Sequence, residues 1–73
     1  MIYSHQLTLA ENRAIAERYA PYHRYAEFWI GFIDYQHHRT RNPYGDSVGG
    51  QSWDRGAEAA MQVQRGRQAK EQV

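Results

Sequence analysis

The sequence predicts an all-α fold: a small helical domain of two main helices packed antiparallel through a Pro-Tyr/Gly loop, plus a capped N-terminal helix broken at Pro21. Three observations carry this. Apolar residues recur at spacings of three and four over residues 22–36 and again over 53–64. Between them, Arg39-Thr-Arg-Asn-Pro-Tyr-Gly-Asp-Ser-Val-Gly-Gly-Gln51 has the composition of a turn, with Pro43 and three glycines. Upstream, Thr8-Leu-Ala-Glu11 has the form of a capping box, in which hydroxyl and carboxylate reciprocally satisfy free backbone N–H groups.

Taken in order, residues 1–7 are an N-terminal arm whose apolar strip, Ile2, Tyr3, Leu7 and Leu9, is too short to stabilise itself. A helix over 8–20 follows, with Leu9, Ala16 and Tyr19 near one side and Ile15 beside them. Pro21 breaks it, because proline lacks an N–H and biases Ala20 away from helical angles, yet suits the first turn of a new helix. The central helix, 21–38, presents a wide face of Tyr22, Tyr25, Ala26, Trp29, Phe32, Ile33 and Gln36, flanked by Phe28 and Tyr35. Gly31 inside it costs about 1 kcal/mol relative to alanine, a cost offset where another helix must come close. After a loop over 39–52, Ser52 caps a helix over 53–66, with Asp54 in its first turn. Trp53, Ala57, Ala60, Met61 and Gln64 trace one face of it, small residues opposing the aromatic face of the central helix. Residues 67–73 have nothing to bury and read as a flexible tail; Arg65, Arg67 and Lys70 are read as solvated.

Composition excludes several classes of function. A chain of 73 residues buries only roughly 60% of the surface its unfolded state exposes, which leaves little room for a deep catalytic cavity. Without cysteine there is no disulfide framework, thiolate nucleophile or Cys-type zinc site. The N-terminus lacks a basic region followed by a long apolar core, and the expected location is the cytoplasm, with no membrane contact. Nine Lys and Arg against eight Asp and Glu give a net charge of +1, so any attraction to nucleic acid must come from a local patch.

The second half of the chain resembles the ribosome modulation factor family, and with it small plasmid-borne proteins reported in ciprofloxacin resistance. Gly31-Phe32, then Asn42-Pro43-Tyr44, then an eight-residue gap, then Trp53-Asp-Arg-Gly56-Ala-Glu-Ala-Ala60-Met61 carry the resemblance, over roughly residues 28–64. Asn42 stands where the family has cysteine, and Phe32 where it has tyrosine. The resemblance implies two helices joined by a Pro-Tyr loop, and a protein that docks on the small ribosomal subunit and promotes ribosome hibernation. Read physically, Tyr44, Trp53 and Gly56 are determinants of the fold before they are contact residues.

Gln36-His-His-Arg-Thr-Arg41 is the most distinctive polar run, placed where the negative end of a helix dipole favours cations. His37, His38, Arg39, Arg41 and Tyr44 are the expected partner-binding residues, suited to phosphates or a partner's carboxylates, with Tyr3 and Leu7 as outliers should the arm dock. Asp34 and His38, four apart, could share a metal with His37 or His23, but local spacing fixes only two ligands and no metal is expected. No Ser/His/Asp spacing or phosphate-binding glycine loop points to an enzyme or a cofactor. The expectation is a small non-catalytic regulator of a gene-expression machine, most like a ribosome modulation factor. The alternative is a phage-type protein that binds host RNA polymerase subunits through an aromatic and arginine hot spot.

Overall fold

The computed structural model describes residues 1–71, and within them the protein is all-helical. Helix α1 spans Leu9–Tyr19, α2 spans Ala26–Gln36 and α3 spans Val48–Glu71, with single 3-10 turns at Ser4–Gln6 and Tyr22–Arg24. The 24 residues of α3 extend roughly 36 Å at 1.5 Å per residue. That is most of the 40 Å long axis of the molecule, so α3 is the spine on which the other elements lie.

The capping box forms as the sequence predicts. Glu11 N–H donates to Thr8 Oγ1 at 3.1 Å, and Thr8 N–H donates to Glu11 Oε1 at 2.9 Å. The buried stripe of α1 is Ile15 and Tyr19, four residues apart. Leu9, expected on that side, is 68% exposed, because it lies at the outer end of the helix and Leu7 takes the place in the core instead.

The central helix is not continuous from 21 to 38. After the Pro21 break comes one 3-10 turn, then Tyr25 in extended conformation (φ −91°, ψ 146°), and only then α2. A helix running through this segment would use the His23 carbonyl for the N–H four residues on. Here the Trp29 indole N–H takes that carbonyl, at 2.9 Å. The break also sets which side of α2 is buried. Phe28, Gly31 and Phe32 are the buried residues, whereas Tyr25 and Ala26, expected on the inner face, are exposed. Phe28 is the aromatic centre, with ring centroids 5.8 Å from Tyr19 and 4.9 Å from Trp29.

Helix α3 begins earlier and ends later than the predicted 53–66. Ser47, not Ser52, is its cap: the Ser47 hydroxyl accepts from Gly50 N–H at 3.1 Å, and its carbonyl accepts from Gln51 N–H. Ser52 is buried one turn inside, its hydroxyl donating to the Val48 carbonyl at 2.9 Å. Consequently the inner face of α3 is Ser52, Trp53, Gly56, Ala59, Ala60 and Val63; Ala57 and Met61 are only half-buried. At the other end, Arg67 is no part of a frayed tail. Its Nε and Nη2 donate to both Glu11 carboxylate oxygens at 3.1 and 3.0 Å, and Nη2 also reaches the Gln6 carbonyl. Residues 72 and 73 of the predicted tail lie outside the described residues.

Two glycines make the α2–α3 packing possible. A Cβ on Gly31 would overlap the Trp53 backbone, and a Cβ on Gly56 would overlap the Phe28 carbonyl. The helices therefore touch backbone to backbone, and the pairing of 31 with 53 and 28 with 56 gives them opposite sense at the crossing. Replacing Gly56 with alanine should destabilise the fold by about 3 kcal/mol or more, at the upper end of overpacking costs. Gly66→Ala, where a Cβ meets nothing within 4 Å, should instead stabilise it by about 1 kcal/mol. Urea denaturation followed by circular dichroism measures both.

The Arg67 hydrogen bonds, followed by those from Thr8, hold the Glu11 carboxyl at about 2 instead of 4.5. The folded state thus favours the ionised form, and the stability this lends is complete above about pH 4.5 and is lost as pH falls towards 2. Glu11→Gln should remove that part of the acid sensitivity, leaving a flatter melting-temperature profile between those two values.

Candidate functional site

The basic run expected to bind a partner lies at the exit of α2, and the backbone there closes in a Schellman motif. His38 N–H donates to the Tyr35 carbonyl at 3.0 Å and Arg39 N–H to the Asp34 carbonyl at 2.9 Å, with His38 itself at φ 62°. This left-handed position is normally glycine, and a side chain there costs about 1 kcal/mol. The turn therefore carries an imidazole at a backbone position that disfavours any side chain. His37, His38, Arg39, Thr40 and Arg41 are all exposed, and no carboxylate occurs in sequence between Asp34 and Asp46.

Asp34 braces this cationic turn from below. One carboxylate oxygen accepts from Arg39 Nη1 at 3.3 Å, and the other from the Trp53 indole N–H at 3.0 Å. The carboxylate offered as half of a metal-ligand pair with His38 is thus engaged on both oxygens. Among the described residues no three His, Asp or Glu side chains cluster to hold a metal ion.

Beyond Arg41 the turn is organised by Asn42. Its side-chain amide donates to the Gly50 carbonyl at 2.8 Å and to Asp54 Oδ1 at 3.1 Å, while its Oδ1 accepts from Tyr44 N–H at 2.9 Å. Gly45, at φ 65°, then reverses the chain onto α3. A Cβ on Gly50 would overlap the Gly45 carbonyl, so the turn rests directly on the first turn of the helix. Tyr44 is left 38% exposed beside the basic run in sequence.

The arm contributes Tyr3 but not Leu7. Both backbone groups of Ile2 are held by the Gln36 side chain: Ile2 N–H donates to Oε1, and Nε2 donates to the Ile2 carbonyl at 2.8 Å. Gln36 immediately precedes His37 and Ile2 immediately precedes Tyr3, so the arm docks at the base of the basic turn. Tyr3 is exposed and stacks on His5 with ring centroids 5.8 Å apart. Leu7, expected as a contact residue, is a core residue at 9% exposure, because the arm folds back and lays Leu7 into the buried cluster, with Ile2 packed against its edge.

Sequence reasoning found the exposed cations and named Asn42, Asp34 and Gln36, but not as the groups that position them. For Asn42 a signal existed: Asn before Pro marks a turn in which the amide mimics backbone. For Gln36 there was none, since Ile2 lies 34 positions away, and for Asp34 only the nearby Arg39 was local, its other partner Trp53 lying 19 positions away.

No family model, curated protein or solved structure matches this chain. No helix among the described residues is long and apolar enough to cross a membrane.

Replacing Asn42 with alanine removes the three hydrogen bonds that tie the turn to α3 and to itself, those to the Gly50 carbonyl and Asp54 and the one from Tyr44 N–H. The expected cost is about 1–3 kcal/mol, read as a lower urea midpoint.

Proposed function

We propose that the protein is a small non-catalytic regulator that docks on the small ribosomal subunit, in the manner of the ribosome modulation factor family, using the basic turn between α2 and α3. The observation that carries this reading is His38 held in a left-handed conformation within an exposed, carboxylate-free run of two histidines and two arginines. Backbone cost retained at an exposed turn is a mark of binding residues, and this cation set suits the phosphates of ribosomal RNA. The positions that carry the family resemblance support the reading from another side. Gly31, Trp53 and Gly56 form the helix crossing, and Asn42-Pro43-Tyr44 forms the turn resting on it.

A second reading, docking on RNA polymerase subunits, is favoured by a different surface. Tyr25 and Ile30 are exposed large side chains on or beside α2, next in sequence to the exposed Arg24, and aromatic residues with arginine are the usual anchors of protein interfaces. The two readings separate in a pull-down from a bacterial lysate with and without nuclease. Ribosomal proteins lost on nuclease treatment support the ribosomal partner; polymerase subunits retained after it support the other.

On the ribosomal reading, co-sedimentation with purified small subunits weakens as salt rises. Each phosphate that an arginine neutralises adds about 0.7 to the slope of log affinity against log salt, so substituting Arg39 and Arg41 together with alanine should reduce that slope by about 1.4. The melting temperature should stay nearly unchanged, because the Arg39–Asp34 pair is exposed on the arginine side. His38→Gly should raise stability by about 1 kcal/mol while weakening sedimentation with the subunit. Undiminished binding in both variants removes the turn from the interface.

A further inference from the structure

Beside the α2 contact, where Ala59 and Val63 of the inner face of α3 turn towards α1, the two helices form a groove of about 270 Å³ whose walls include Ala14, Ile15, Ala59, Val63, Gly66 and Tyr19. Two features of this groove are unexplained by the chain's own packing. The first is Gly66. Gly31, Gly50 and Gly56 each admit a backbone that a Cβ would strike, whereas a Cβ on Gly66 meets nothing within 4 Å. A glycine well inside a helix is unfavourable, yet no described residue uses its smallness. The second is Tyr19. It is 4% exposed, and its buried hydroxyl has no hydrogen-bond partner among the described residues. Burial, reinforced by the charge of Glu58, raises its pKa, so the group is a protonated donor lacking an acceptor.

The charges at the two ends of the groove differ. At one end Glu11 is closed off by two hydrogen bonds from Arg67. At the other the Arg18 guanidinium lies over the Tyr19 ring, 5.8 Å from its centroid. Arg18 is 62% exposed and is paired to Glu58 only at 3.6 Å. An external anion that took the place of Glu58 at Arg18 would therefore sit beside the Tyr19 ring, on the wall of the groove. The complementary ligand has an anionic acceptor at one end and a short apolar body.

We propose that this groove binds a small amphiphilic monocarboxylate, its apolar body lying along Ile15, Ala59 and Val63 over Gly66, and its carboxylate pairing with Arg18 and accepting from the Tyr19 hydroxyl. A space of 270 Å³ equals about nine waters, which suits a ligand of about ten heavy atoms. The site is independent of the basic turn, and its occupancy does not rest on the ribosomal reading.

Titration of the full-length protein with sodium octanoate, and in parallel with uncharged 1-octanol, followed by amide chemical shifts, tests this. Octanoate should give saturable shifts centred on Ala14, Ala59 and Gly66, and bind about tenfold more tightly than octanol. Tyr19→Phe should weaken octanoate about fivefold and leave octanol unchanged. Gly66→Leu, which places a side chain in open space, should abolish binding without lowering the melting temperature. Ala14→Leu fills the groove from the opposite wall and should do the same. Absence of saturable shifts, equal affinity for octanol, or undiminished binding in both filled variants overturns the proposal.

Discussion

The backbone contact between α2 and α3 at Gly31 and Gly56 is the constraint from which the remaining geometry follows. Helices that pack through side chains usually stay 8–10 Å apart; here Trp53 and Phe28 present their backbones directly to glycine. That closeness brings Phe28 and Phe32 into complete burial against Ala59 and Ala60 without a large core. A chain of this size has few apolar side chains to bury, and close approach over small residues lets a handful of rings exclude water effectively.

The same crossing positions the exposed cations. Trp53, seated at Gly31, turns its indole N–H to Asp34, and Asp34 in turn holds Arg39. Asn42 ties the turn to the first turn of α3 and to Asp54. The basic run is therefore exposed but fixed at its base, with one end set by the Schellman closure of α2 and the other by Gly45 and Gly50. Cations at the C-terminal end of α2 also sit where the helix dipole favours them.

Charge balance and local charge play different roles in this molecule. Among the described residues three acids are engaged by arginines: Glu11 with Arg67, Asp34 with Arg39, and Glu58 with Arg18. The pair deepest in the structure, Glu11 with Arg67, closes the arm, α1 and α3 into one unit, and Gln36 does the corresponding work for the first residues of the arm. A near-neutral chain can thus hold a concentrated cationic turn, with Asp34 bracing it from below and Glu11 and Glu58 paired elsewhere.

The sequence by itself determined the helical class, the Thr8–Glu11 cap, the break after Ala20, the glycine notch at 31 and the exposed cluster from His37 to Arg41. Each is local: a period, a cap or a proline constrains neighbours within a turn or two. Tertiary structure alone decided which faces were buried and where α3 began and ended. Trp29 capturing the His23 carbonyl split the central helix, Ser47 rather than Ser52 became the cap once Gly50 met the Gly45 carbonyl, and Arg67 became an anchor through a partner 56 residues away. The first two are contests between neighbouring groups that packing decides, the third depends on a distant group arriving within hydrogen-bond reach, and that information is held by no single stretch of the chain.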